Sequence, residues 1–151
     1  MNKVSIALAA ALLAAGQTAA AQQPDVMVAV RQFTDAFNKG DIKAVVAACT
    51  DQTSIIDEFP PFEWNGPGSC AKWAADYESD AKKNGITDGI VTLGTPKHVD
   101  VAGDRAYVVI PSNYSYKQKG KPMQETGSFW TFVMQKGAAG WRIAGWSWGK
   151  N

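Results

Sequence analysis

The most constraining feature of this chain is the stretch from residue 33 to residue 57, which reads FTDAFNKGDIKAVVAACTDQTSIID. Apolar residues recur at helical spacing up to a Gly-Asp break, which predicts a helix that begins at Pro24 and ends at Gly40. Asp41 is suited to cap a second, short helix. Residues 53–57 then predict a short strand that ends on an acid. Two helices followed by a strand indicate a domain that combines helices with a sheet.

The pattern changes at Ile86. Before it, residues 67–84 predict a third helix, with Gly85 as its stop signal. After it, runs rich in β-branched and aromatic residues are separated by Gly-containing turns: IVTLGTPKHVDV, RAYVVIPSNYSYKQ, PMQETGSFWTFVMQ and WRIAGWSWG. The order predicts an α+β fold with four long strands, plus the short first strand, in an antiparallel sheet on three N-terminal helices.

The first 21 residues have the pattern of an export signal. Lys3 precedes the apolar run VSIALAAALLAA, and small residues suited to cleavage follow at positions 19–21. The apolar run is about a dozen residues long, which is too short to span a bilayer. We therefore expect residues 1–21 to be removed and residues 22–151 to form one periplasmic or secreted domain that does not partner a membrane.

Charge and histidine content exclude two classes of function. The sequence has 15 Lys and Arg residues against 14 Asp and Glu, and loss of Lys3 would make it formally neutral. A nucleic-acid-binding protein needs a basic face, so nucleic acid is not an expected partner. His98 is the sole histidine, and no residues stand at metal-ligand spacing, so we predict neither a metal site nor a cofactor.

The order of the elements resembles the nuclear-transport-factor-2-like superfamily, which includes SnoaL-like polyketide cyclases and ketosteroid isomerases. The motifs that carry the resemblance are FNKGDIKAVVAACTDQTSIID, GPGSCAKW at the start of the long helix and GWRIAGWSWG as the final strand. The resemblance covers residues 22–151. It implies a cone-shaped, curved sheet around one cavity, and a homodimer, since sheet-to-sheet dimers are common in these families.

Asp57 is the candidate catalytic residue, because the isomerases that this chain resembles have an Asp general base at the end of the first strand. Beside Phe59, Phe62 and Trp64 a carboxylate would lose hydration, so its pKa would rise and it could exchange a proton near neutral pH. Alternatively, Asp57 accepts hydrogen bonds from the amides of the following loop. Glu58 is predicted to face the other side of the strand.

The oxyanion hole of those isomerases is not matched. They pair the base with a Tyr on helix one and a neutral acid on a late strand. This chain has Phe33 at the helix position and no acid in residues 127–132. Because loss of one such donor typically costs about two to three orders of magnitude in rate, ketosteroid isomerisation of the familiar kind is not expected.

Aromatic side chains at alternating strand positions form a second candidate feature. If they face the inside of the cone, they line a cavity for a flat, mostly apolar ligand; otherwise they fill the core. With neighbours from the helices and loops, the candidate ligand-binding residues are Phe33, Trp64, Trp73, Tyr77, Asn113, Tyr114, Tyr116, Trp130, Phe132, Trp146 and Trp148.

The resemblance also bears on the two cysteines. Cys49 on the second helix and Cys70 at the start of the third occupy positions where these families usually place an apolar side chain. Packing could join them in a disulfide, which an oxidising compartment permits. Two buried thiols are the alternative.

Three functions are compatible with these features. The chain is expected to bind a small apolar or aromatic molecule in its cone. It could instead be an isomerase, cyclase or dehydratase that uses Asp57 as general base, or a dimeric interaction module with a filled core. The cavity and the pKa of Asp57 distinguish these possibilities.

Overall fold

A computed structural model of the chain describes secondary structure from residue 15 and side chains from residue 26. Residues 1–14 of the predicted export segment lie outside the described residues. The first helix, α1, spans Ala15–Asn38 and therefore begins earlier than the predicted start at Pro24. The preceding run AGQTAAAQQ is rich in Ala and Gln, which favour helix. From residue 15 onward, no helix is long and apolar enough to cross a membrane.

The helix ends follow the capping residues. α1 stops before Gly40, which has a positive φ of 68°. The second helix, α2 (Ile42–Ala47), begins after Asp41, whose side chain accepts a hydrogen bond from a backbone N–H of the first turn. The third helix, α3 (Ser69–Asn84), ends at Gly85 with a φ of 67°, a conformation that glycine adopts without a steric penalty. Both α1 and α3 pack against the sheet.

Residues 15–151 contain one sheet of seven strands: β1 (Cys49–Ile56), β2 (Glu63–Trp64), β3 (Ile86–Leu93), β4 (His98–Ala102), β5 (Arg105–Gln118), β6 (Lys121–Gly137) and β7 (Gly140–Gly149). Their order is β2-β1-β7-β6-β5-β3, with β4 also paired to β5. The predicted α+β class with a curved sheet is confirmed. β1 and β7 are parallel, so the sheet is mixed rather than wholly antiparallel.

The first of the four predicted long strands is divided into β3 and β4. Gly94 and Pro96 lie between the two, and Pro96 has no N–H to donate to a ladder. Both strands nevertheless pair with β5 along different parts of its length. The division gives the sheet an extra strand and leaves its meander order unchanged.

The inner face of the sheet packs on the helices through alternating residues. On β5 and β6 these include Val108, Ile110, Phe132 and Met134, all of which are fully buried. The outer face of the same strands carries exposed residues, as expected for strand periodicity. This layer forms the closed part of the core.

A disulfide joins Cys49 to Cys70, with their Cα atoms 6.4 Å apart, so the predicted bond is confirmed. Cys49 is the first residue of β1 rather than part of the second helix. Cys70 lies in the first turn of α3. The bond therefore fixes the start of α3 to the start of the strand that leads to Asp57.

Candidate functional site

A cavity of about 220 Å³ lies between the helices and the inner face of the sheet. Aromatic rings form most of its wall: Phe37, Phe59, Trp73, Tyr77, Tyr114, Tyr116, Trp130, Trp146 and Trp148. Seven of these nine are among the eleven ligand-binding residues predicted from the sequence, and Phe37 and Phe59 were missed. Alternation along β5, β6 and β7 brings the strand residues together, and helical spacing on α3 adds Trp73 and Tyr77.

Phe33 and Phe132 do not line the cavity, contrary to prediction. Both are fully buried, and the Phe33 ring centroid lies 5.6 Å from that of Trp130 and 6.3 Å from that of Phe132. They belong to the closed core. Phe37, one helical turn after Phe33, reaches the cavity instead and packs against the rings of α3. The predicted helix-one position is therefore one turn too early.

Trp64 is also wrongly predicted as a cavity residue. Its indole Nε1 donates a hydrogen bond to Asp76 Oδ2 at 2.8 Å. The ring of Phe59 lies 5.0 Å from Trp64 and 5.9 Å from Tyr77, so Phe59 separates Trp64 from the cavity. Trp64 therefore packs behind Phe59 and does not line the cavity.

Asn113 is exposed and serves a β-bulge rather than the cavity, so this prediction is wrong too. Its side-chain Oδ1 accepts a hydrogen bond from the backbone N–H of Gly127 at 3.1 Å. The β5–β6 register shifts at this point, so that Ser112 pairs with Ser128 whereas Tyr114 pairs with Glu125. The bulge changes which side chains of β6 face the cavity beyond it.

Glu125 is an acid of the site that the sequence analysis missed. Strict alternation from Trp130 and Ser128 would place Thr126 inside and Glu125 outside. The bulge reverses this order, so Glu125 lines the cavity and its side chain is only 9% exposed. Residues 127–132 contain no acid, as the sequence analysis stated. Glu125, two residues before them, supplies an acid to the cavity wall.

Asp57 lies immediately after β1 and lines the cavity. Its Oδ2 accepts a hydrogen bond from Trp73 Nε1 at 2.8 Å, and its Oδ1 accepts one from the backbone N–H of Glu58 at 2.8 Å. The two proposed environments of Asp57 therefore coexist: a cavity wall and a loop amide. Burial outweighs the hydrogen bonds and raises the pKa of Asp57 to about 6.

Glu58 and Lys150 complete a charged cluster at the mouth of the cavity. Lys150 Nζ lies 2.9 Å from Glu58 Oε2 and 2.9 Å from Glu125 Oε1. The prediction that Glu58 faces the opposite side is wrong, because the chain has left β1 before Glu58 and strand alternation no longer applies. The position of Lys150 could have been predicted from the sequence, because Lys150 continues the period-two series of Trp146 and Trp148.

Two tyrosine hydroxyls meet inside the cavity. The oxygens of Tyr77 and Tyr114 are 2.6 Å apart, and burial raises the pKa of both phenols. One hydroxyl donates to the other, so the accepting hydroxyl keeps a proton that it can donate elsewhere. Gly89 makes room for the pair, because a Cβ at this position would lie 2.5 Å from the Tyr114 oxygen.

The SnoaL-like domain family matches residues 26–147, most of the described chain. The chain belongs to the SnoaL-like domain family. This family lies within the nuclear-transport-factor-2-like superfamily that the motifs indicated, so the predicted resemblance is confirmed. No curated protein matches the sequence significantly.

Solved structures share the fold of this SnoaL-like domain at low identity. A ketosteroid isomerase-like protein from Erwinia carotovora is 21% identical, with a TM-score of 0.68 over 85% of this chain and 95% of that one. An NTF2-like protein from Salmonella enterica is 15% identical, with a TM-score of 0.73 over 87% and 92%. A hexachlorocyclohexane dehydrochlorinase from Novosphingobium barchaimii is 10% identical, with a TM-score of 0.72 over 87% and 88%. These likenesses establish the fold alone.

Indole N–H groups in this SnoaL-like domain are not all available to a ligand. Trp73 donates to Asp57, whereas the Nε1 atoms of Trp130, Trp146 and Trp148 are buried without an acceptor in the described part of the chain. The ring of Trp130 stands edge-to-face against those of Trp146 and Trp148. The cavity wall therefore carries tyrosine hydroxyls, carboxylates and three indole N–H donors that have no acceptor among the described residues.

From residue 26 onward, where side chains are described, no three His, Cys, Asp or Glu side chains lie close enough together to hold a metal ion. His98 is exposed on β4, with Nδ1 4.0 Å from Asp100 Oδ2. The SnoaL-like cavity thus offers aromatic surface, a carboxylate with a pKa of about 6 and a paired phenol.

Proposed function

We propose that this SnoaL-like domain binds a small, flat, mostly apolar molecule in its aromatic cavity. The observation that carries the proposal is the open space of about 220 Å³ walled by aromatic rings. This volume is smaller than the roughly 300–1,000 Å³ of most ligand pockets and so suits a small ligand, and voids larger than a water molecule are rare in packed cores. A module with a filled core is correspondingly disfavoured.

A cavity-filling variant tests this proposal. Ala81 lines the cavity from α3, and Ala75 is exposed on the same helix, so Ala81→Phe and Ala75→Phe form a matched pair. We expect 2-naphthol to quench tryptophan fluorescence in the wild type and in Ala75→Phe, and to lose at least about tenfold in affinity in Ala81→Phe. Equal affinity in all three proteins would contradict binding in this cavity.

We propose proton transfer as the second candidate function, favoured by Asp57 and the tyrosine pair in one cavity. Asp57 would take a proton from a carbon next to a carbonyl, and the free phenol proton of Tyr77 or Tyr114 would stabilise the developing oxyanion. The protonated Asp57 would then return the proton. Because the pKa of Asp57 is raised to about 6, it is close to that of an efficient base near neutral pH.

Deuterium exchange into 2-tetralone tests this second function. In D₂O the wild type should accelerate exchange of the hydrogens beside the carbonyl, and Asp57→Asn should lose the acceleration while keeping the affinity for the ketone. Asp80→Asn is the matched control, because Asp80 also lines the cavity. Exchange that proceeds equally in Asp57→Asn would remove Asp57 as the base.

Export and dimer formation are part of the same proposal. We propose that residues 1–21 are cleaved, which the Lys3, apolar-run and small-residue pattern supports. The intact mass of the exported protein should match a chain that begins at residue 22, and retention of Met1 would contradict export.

A homodimer is supported by exposed apolar residues on the outer face of β5 and β6, namely Tyr107, Phe129 and Val133.

A further inference from the structure

The cavity wall carries an excess of negative charge. Four carboxylates line it, those of Asp57, Glu58, Asp80 and Glu125, against one basic side chain among the described lining residues, Lys150. A single ammonium cannot balance four carboxylates. A ligand that brings a positive charge would reduce their mutual repulsion, whereas an anion would increase it.

Glu125 has a vacant acceptor. Its Oε1 already interacts with Lys150 at 2.9 Å and with the Tyr116 hydroxyl at 3.5 Å. Its Oε2 is buried, and no donor for it is present among the residues whose side chains are described, 26–151. A buried carboxylate oxygen without a donor is costly, so a donor supplied by a ligand would be strongly favoured there.

Lys150 does not block this acceptor. Its side chain is 53% exposed, that of Glu58 is 27% exposed and that of Glu125 is 9% exposed, so the cluster runs from solvent into the cavity. Lys150 lies at the outer end and uses Oε1 of Glu125. Oε2 is left without a partner among the described residues.

Aromatic rings surround the same acid. Tyr114 is the register partner of Glu125, and the Tyr114 ring stacks on Tyr116 with centroids 4.9 Å apart. The ring of Trp148 lies 6.5 Å from that of Tyr114. The faces of such rings carry partial negative charge and attract organic cations at contact distance.

We propose that the ligand of this cavity is an organic cation, an apolar or aromatic body that carries an ammonium group. The ammonium lies beside Glu125 and Asp57, and the body lies against the tryptophan and tyrosine rings. This inference rests on the proposed binding function and names the chemical class of its ligand.

The electrostatics of neighbouring groups agree with this assignment. Burial is the largest cause of the raised pKa of Asp57 and Tyr114, and the negative charge of Glu125 adds to the rise in both. The field of Glu125 therefore reaches the groups that a ligand would contact. A cation bound there should lower the pKa of Asp57, because it favours the ionised carboxylate.

Three probes of similar size separate the effect of charge from that of shape: the primary ammonium ion α,α-dimethylbenzylammonium, its neutral isostere tert-butylbenzene, and the anion benzenesulfonate. Each is titrated into the wild-type protein at pH 8 and low ionic strength, with tryptophan fluorescence as the readout. We expect the cation to bind about tenfold tighter than the neutral isostere, and the anion to bind weakest. The cation preference should fall as salt is added.

Two charge variants should act in opposite directions. Glu125→Gln keeps the shape of the side chain and should cost the cation about tenfold in affinity while leaving tert-butylbenzene unchanged. Lys150→Met removes the resident positive charge and should strengthen binding of the cation. Lys97→Met, at an exposed lysine outside the cavity, is the matched control. The comparison of the three probes uses wild-type protein alone. A variant that fails to fold would therefore not affect it.

Each result has a distinct meaning. Equal or tighter binding of tert-butylbenzene would overturn the cation assignment and leave the proposed binding function intact. Tightest binding of benzenesulfonate would overturn it in the same way. Failure of all three probes to bind would overturn the binding function and this inference together. A cation preference that survives Glu125→Gln unchanged would overturn the role of Glu125.

Discussion

Asp57 is a carboxylate that folding makes harder to ionise. Burial raises its pKa from 3.8 to about 6, although Trp73 and the Glu58 amide oppose the rise. The folded state thus binds the Asp57 proton more tightly than the unfolded state does, and ionisation of Asp57 lowers stability as pH rises from about 4 to above 6. Glu58, Glu125 and Tyr77 face the same carboxyl, and the two glutamates raise its pKa further.

Asp57→Asn should remove this pH-dependent loss. Relative to wild type, the free energy of unfolding of the variant should improve by about 2 kcal/mol between pH 4 and pH 8. Denaturant melts of both proteins at the two pH values measure the change. Carboxyl NMR should show Asp57 titrating near pH 6, while Asp88, whose pKa is lowered by its bond to Lys117, titrates below its usual value. A pH-independent difference between the two proteins would contradict the prediction.

Gly89 is required by the tyrosine pair beside it. A Cβ there would lie 2.5 Å from the Tyr114 oxygen and 3.0 Å from the Tyr77 oxygen. Gly89→Ala should therefore separate the two hydroxyls and lower the free energy of unfolding by about 1–3 kcal/mol. Gly137→Ala is the control, because a Cβ at that position meets no atom within 4 Å. Equal stability of the two variants in denaturant melts would show that the tyrosines adjust freely.

Asn38 connects the end of α1 to the edge strand β3. Its Nδ2 donates to the Val91 carbonyl at 2.8 Å, and its Oδ1 accepts from the Val91 N–H at 2.8 Å. Asn38→Ala should cost about 2 kcal/mol and speed hydrogen exchange at the Val91 amide, since both backbone groups lose their partner. Asn84→Ala removes bonds only to Asp80 on its own helix and should leave Val91 exchange unchanged.

The disulfide stabilises the junction of β1 and α3. Cys49 and Cys70 are 21 residues apart, and a loop of this length predicts a loss of about 3 kcal/mol in the Cys49→Ala, Cys70→Ala double variant. Denaturant melts of oxidised wild type and the double variant measure it. Thiol labelling of unfolded, unreduced protein is the accompanying check, because two reactive thiols there would contradict the bond.

The outer face of the sheet is where the proposed dimer would form. Tyr107 and Val133 are register partners on β5 and β6, with 46% and 43% of their surfaces exposed, and Phe129 is 43% exposed nearby. If two copies pair through this face, Val133→Lys should shift the protein from twice the chain mass to the chain mass in light scattering. Ala138→Lys, in the exposed turn between β6 and β7, should not. A wild-type monomer would exclude the dimer.

Local sequence signals determined the elements and the fold class. Gly40, Asp41 and Gly85 mark helix ends through backbone conformation and capping, which depend on near neighbours alone. Strand alternation likewise grouped Tyr114, Tyr116, Trp130, Trp146 and Trp148, but it left open whether their face lines a cavity, as it does, or fills the core. The disulfide was a hypothesis from the family resemblance, because both cysteines stand where related families usually place an apolar side chain, and two buried thiols were the alternative.

The composition of the site was decided by tertiary structure. Glu125 enters the cavity because a bulge reverses the alternation of β6, and the bulge depends on pairing with β5. Glu58 meets Lys150 because a loop and the chain end converge there. Phe37 lines the cavity instead of Phe33 because Phe33 packs against Trp130 and Phe132 in the closed core. Such outcomes depend on contacts between distant residues, which no local periodicity encodes.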